Sequence, residues 1–236
     1  MPWLLGVASG GVEVVYFVFL AAAYRRGDLS LVYPLARGSA PLLAIVLGVG
    51  LLGERLAPGA ILGVVLLVAS LLVVQRPWRL LRAAEARDDR SAAGFALLTG
   101  AMIASYSAID RVGVQLVPRW LYAGILWPTT ALGLGLIAVI RSRRGDGQAS
   151  MTPAPGARRR AVSAGLLTVA AYGLVLAALQ RAPLAVVAPL RESAVLLATT
   201  WGVVRLCEAR APREVSRRVV GAMLVLAGAG VLAVAR

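Results

Sequence analysis

The stretch that decides the fold is Leu29–Leu56, LSLVYPLARGSAPLLAIVLGVGLLGERL. Its apolar length fits one membrane-crossing helix. Yet Arg37 lies inside it, where a helix surrounded by lipid cannot carry a charge without a partner or a water-filled face. A second stretch, Leu184–Arg210, LAVVAPLRESAVLLATTWGVVRLCEAR, has the same pattern. Leu184, Pro189 and Leu190 match Leu29, Pro34 and Leu35 at an offset of 155 residues. Arg191, Ser193, Ala194, Leu196, Leu197, Ala198 and Glu208 then match Arg37, Ser39, Ala40, Leu42, Leu43, Ala44 and Glu54 at an offset of 154. Upstream, Tyr172 matches Tyr16 at an offset of 156. A shared Arg, Pro, Glu and Tyr in one order marks an internal duplication rather than chance agreement between apolar runs.

Outward from this pair, apolar runs near membrane-spanning length fill the chain, which is 59% hydrophobic with a mean hydropathy of +0.80. The pattern predicts an all-α integral membrane protein, a polytopic helical bundle. Eight spans are placed: Leu4–Tyr24, Leu29–Leu52, Pro58–Val74, Ala92–Val112, Trp120–Ile140, Ala161–Leu179, Leu184–Arg205 and Val219–Ala235. They divide into a partial first repeat of three spans, residues 1–76, and a second repeat of five, residues 91–236. The first repeat is expected to lack the two spans that open the second. The matching segments are displaced by five spans, an odd number, so the copies cross the membrane in opposite senses. Such an inverted repeat is a recurring plan of secondary transporters.

All 25 basic residues are arginine, and the net charge is +14. The arginines cluster in short connections between apolar runs, as topology signals do, and not in a nucleic-acid-binding face. The connections on one side hold 18 of them and those on the other side, with the C-terminus, hold five. The positive-inside rule makes the richer side cytoplasmic and puts the C-terminus outside. The N-terminal run lacks a basic leader and carries Glu13, so it reads as a structural span and not as a signal peptide. There is no His and a single Cys, Cys207. Histidine acid/base and nucleophile chemistry is thereby excluded, no metal or cofactor site is expected, and an enzyme is disfavoured.

The run YRRGDLSLVYPLARGSAPLL, residues 24–43, with LLGERLAPGAILGVVLLVASLLVV, residues 51–74, resembles the second half of an EamA domain of the drug/metabolite transporter superfamily. The run AYGLVLAALQRAPLAVVAPLRESAVLL, with CEARAP and GAMLVLAGAGVLAV after it, resembles the same part of a second EamA domain. The resemblance implies two inverted five-span halves, both termini cytoplasmic, and movement of small metabolites or drugs across the inner (plasma) membrane. On orientation it disagrees with the arginine count. It leads to a small-metabolite transporter, an exporter, working by alternating access. Alternatives are a lipid-linked-sugar flippase or multidrug exporter of the same fold, or a truncated fragment that needs a partner. The partners expected are membrane lipids and a small-molecule substrate, with a homodimer as a further candidate.

Several residues inside spans are candidates for function. Arg37 and Arg191 hold equivalent positions, and they either bind an anionic substrate group or form structural ion pairs. In tight hairpins Arg37 lies level with Tyr16, and Arg191 and Glu192 with Tyr172, roughly 15 Å from the turn at 1.5 Å per residue. Tyr16, Tyr33, Tyr106 and Tyr172 are expected to shape a cavity or simply to pack. Glu13 and Glu192 are read as neutralising the arginines or coupling protons; Asp110, near the end of its span, is read as interfacial or as part of a cavity, with an ion pair or proton coupling as its candidate roles. Pro34, Pro41, Pro128 and Pro189 mark bends or broken helices. Gly6/Gly10 and Gly59/Gly63 have the spacing of close helix contacts. Glu54 and Glu208 are read as caps at span ends or partners of loop arginines.

Overall fold

Long runs of Ala, Leu and Val with few interruptions favour helix throughout, and among the described residues no strand occurs. The computed structural model describes residues 2–27, 29–75, 87–144, 156–191 and 212–234. In order, the helices are α1 (Pro2–Tyr24), α2 (Leu29–Val46), α3 (Pro58–Gln75), α4 (Arg87–Leu116), α5 (Arg119–Arg143), α6 (Ala157–Arg181), α7 (184–191 as described) and α8 (Pro212–Val234). Four of them, α1, α4, α5 and α6, are long and apolar enough to cross a membrane. Most helices outrun the apolar cores read from the sequence. Hydropathy finds the apolar middle of a helix, while charged ends such as Arg87–Arg90 and Arg141–Arg143 extend it at little cost.

The prolines do not break these helices. Pro128 sits inside an uninterrupted α5, and α2 runs through Pro34 and Pro41. Pro41 does withdraw the N–H that would bond the carbonyl four residues back, on Arg37. The irregular backbone comes later, in a π-turn at Leu47–Leu51. Gly53 follows with φ of +65°, a left-handed conformation that favours glycine.

The chain separates into two compact units. The first comprises Met1–Val14 and Ile109–Arg181, and the second Val15–Ala108 and Ala182–Arg236. These units interleave along the sequence, and α1 and α4 each contribute to both. In the first unit Gly6 and Gly10 of α1 are buried against Ile125 and Thr129 of α5, a small-residue face that lets two backbones approach. In the second unit Ala23, Val32, Leu35 and Ala36 pack with Ala92, Ala93 and Ala96 of α4. Arg26 ends α1 by donating to the Ala22 carbonyl at 3.0 Å, and its guanidinium lies 4.6 Å from the centre of the Phe95 ring.

Helix α3 packs on α8 in the second unit, where Leu67, Val225 and Leu232 form an apolar seam. Ser70 donates to the Gly221 carbonyl at 2.8 Å. A Cβ added to Gly63 would lie 2.6 Å from Leu232 Cγ and 3.0 Å from the Gly228 carbonyl oxygen. Gly63→Val is therefore expected to destabilise the protein by about 1–3 kcal/mol, read as a lower thermal midpoint in detergent. Gly94→Ala, whose Cβ meets nothing within 4 Å, serves as the control and is expected to raise the midpoint slightly.

Candidate functional site

Arg37 occupies a turn of α2 that faces a cavity of about 60 Å³ in the second unit. Tyr16, Leu20 and Tyr24 of α1 line it, with Tyr33 and Ala36 of α2 and Thr99 and Ile103 of α4. The guanidinium stands 5.9 Å from the centre of the Tyr33 ring, within cation–π range. Tyr106, buried on α4, meets Tyr16 edge-on with ring centres 6.0 Å apart. Arg37, Tyr16 and Tyr33 thus gather at one cavity with Tyr24, and Tyr106 stands against it through Tyr16. A cationic fork with three phenols around it can hold a carboxylate or phosphate, or stack on a planar group. The cavity has room for a few water molecules, which need about 10–15 Å³ each. It is well below the roughly 300–1,000 Å³ of a metabolite pocket.

Tyr172 belongs to the first unit. It donates a hydrogen bond to Asp110 Oδ2. Ser9 of α1 and Tyr122 of α5 donate to Asp110 Oδ1 at 2.5 and 2.8 Å. Asp110 is fully buried, on a helix that continues to Leu116. Its neighbour Arg111 donates to the Leu179 carbonyl, near the C-terminal end of α6 where a cation is favoured. Glu13 accepts a hydrogen bond from Thr130 at 2.6 Å.

Arg191 is half-buried at the end of α7 as described, in the second unit. Glu192, Cys207 and Glu208 lie outside the described residues. Glu54 holds the start of α7: its Oε1 accepts the Leu184 N–H at 2.6 Å and its Oε2 the Ala185 N–H at 3.0 Å. These are two of the donors that a helix start leaves unpaired. The Gly53-Glu54 step explains the local sequence, since the left-handed Gly53 turns the chain so that the next carboxylate reaches α7. Sequence reasoning missed Ser9, Thr99, Tyr122 and Thr130. Single hydroxyls in apolar helices are common and carry no signal until their partners are known.

Among the described residues no cluster of His, Cys, Asp and Glu suits a metal ion. No protein-family model matches the chain, and no curated protein matches it. A solved structure, described only as the crystal structure of a protein, aligns with 100% of this chain and 78% of its own, at a TM-score of 0.74 and 23% identity. At that identity the likeness speaks for the fold alone.

Replacing Glu54 by Gln removes one acceptor and sets an NH₂ group against a backbone N–H. Glu54→Gln is expected to cost about 1–3 kcal/mol, seen as a fall in thermal midpoint and as faster hydrogen exchange at Leu184 and Ala185. Unchanged exchange at both would show that the cap does not hold α7.

Proposed function

We propose that the chain is a secondary transporter of the EamA type, moving a small anionic metabolite across the inner membrane by alternating access. Arg37 and the tyrosines around it form the part of the substrate site carried by the second unit. The observation that carries this reading is a charged fork on an otherwise apolar helix, turned to a tyrosine-lined cavity and not buried in a core. The membrane part of the reading is supported by the outer faces of α5 and α6. Leu132, Leu166, Leu167 and Leu174 are each about 70% exposed, and of the apolar stretch of α6 only 11% is buried. So much contiguous apolar surface is stable against lipid and not against water. The cavity is too small for a metabolite as it stands, which fits an occluded stage of a cycle in which one repeat rocks against the other. Arg191, its counterpart in the second repeat, would anchor the same anion from the other half.

A second reading is a flippase for a lipid-linked substrate. In the first unit a groove of about 360 Å³ runs between α5 and α6, lined by Arg119, Trp120 and Trp127 at its polar and aromatic positions. An open, aromatic-lined groove beside exposed apolar helices is what an amphiphilic cargo would need.

Metabolite export from cells expressing the chain separates the two. The transporter reading expects a soluble anion to accumulate outside in a way that depends on Arg37. Arg37→Ala is expected to lower that export about ten- to a hundred-fold, the equivalent of ~1.5–3 kcal/mol for a hydrogen bond to a charged group, with membrane insertion unchanged. Arg37→Lys is expected to recover only part of it, because a single ammonium cannot reproduce bidentate recognition. Wild-type export by Arg37→Ala would remove Arg37 from the substrate site.

A further inference from the structure

The Asp110 cluster is not used by the substrate site. Its carboxylate is fully buried, and its partners come from three other helices: Ser9 of α1, Tyr122 of α5 and Tyr172 of α6. All three are hydroxyls, and no arginine among the described residues joins them. Hydroxyl donors stabilise a carboxylate, but they do not cancel its charge, and an ionised group out of water without a counter-ion is costly. The nearest charged neighbours do not supply one. Arg111, next along α4, donates to the Leu179 carbonyl. Glu13, one turn along α1 and bonded to Thr130 of α5, acts on Asp110 as a like charge.

A metal cation would have to displace donors that already point at both carboxylate oxygens, whereas a proton needs only one lone pair. We propose that Asp110 is a proton-binding site, and that loading it switches the hydrogen bonds that tie α4 to α1 and α5. The step is a proton transfer. A hydronium ion gives up a proton: one of its O–H bonds breaks as an O–H bond forms on Asp110 Oδ1, water is released, and the charge of the cluster rises by one. The hydroxyl that donated to that lone pair must then turn away.

Tyr122 has somewhere to turn, because its oxygen also lies 3.5 Å from the Leu5 carbonyl of α1. That distance is at the outer limit of a hydrogen bond, so the new bond forms well only if α1 and α5 close by roughly half an ångström. Ser9 and Tyr172 keep their carboxyl partner. The cluster thus has two hydrogen-bond arrangements, one joining Tyr122 to α4 and one joining it to α1. If the transport reading holds, this site supplies the coupling ion. The proton site itself does not depend on that reading.

Infrared difference spectroscopy of the purified full chain, recorded between acid and alkaline pH, tests the site without any substrate. A buried carboxylic C=O band is expected to disappear as pH rises, to be absent from Asp110→Asn and to remain in Glu13→Gln. The proposal is overturned by a band that persists in Asp110→Asn, by a wild-type spectrum with no pH-dependent band, or by a band that responds to sodium and not to pH. Should Asp110→Asn fail to fold, Tyr172→Phe reads the same site by removing one donor without touching α4. It is expected to shift the frequency and the titration midpoint of the band, and an unmoved band overturns the proposal. None of these outcomes bears on whether the chain transports a metabolite, so the two readings fail separately.

Discussion

A polar group on an apolar helix has to be met by something, and this constraint orders the molecule. In water an unpaired carboxylate or carbonyl is solvated at once. Within packed apolar helices each such group left alone costs several kcal/mol. The chain meets the demand locally. Three hydroxyls surround Asp110, Thr130 serves Glu13, and the side chains of Arg111 and Gln115 take up the Leu179 carbonyl. Glu54 takes two backbone N–H groups at the start of α7. Each pairing joins different segments of the chain, so the polar groups fix which helices meet, while the apolar surface fixes only that they meet something.

Close backbone approach is the other half of this design. Gly6 and Gly10 admit α5 against α1, and Gly63 meets Gly228 where α3 crosses α8. At such contacts small residues replace the deep side-chain interlock of a soluble core, and helices pack through backbone and dispersion contacts. The spacing of Gly6/Gly10 and Gly59/Gly63 pointed to such contacts, whereas Gly94 and Gly165 face open space.

The all-α class and most helix positions were legible in the sequence because apolar run length is a strong, one-dimensional signal. The approach of Tyr16 to Arg37 was legible too, since a tight hairpin puts residues equally far from its turn at one depth. Asp110 was not. Apolar run length placed Asp110 near the end of its span and carried no sign of the three hydroxyls that meet its carboxylate. Tyr172 was assigned by repeat symmetry to the layer of Arg191; its bond to Asp110 could not be read that way, because the first repeat as read lacks the span that would match α4. Repeat symmetry carries over the helix scaffold better than it carries over individual side-chain partners. The role of Glu54 as a cap was foreseen in kind, but its target, the start of α7, needed the three-dimensional fold.

The central claim is that the Arg37 cavity belongs to a pathway open in turn to each side of a membrane. Thr99 lines that cavity and is fully buried, and the sequence has a single cysteine, Cys207. A Thr99→Cys, Cys207→Ser chain in oriented vesicles allows the direct measurement, reaction with a membrane-impermeant thiol reagent added to one side at a time. Reaction from both sides is the result the account predicts. Protection from both, under conditions where a cysteine placed in a surface loop reacts, would contradict it.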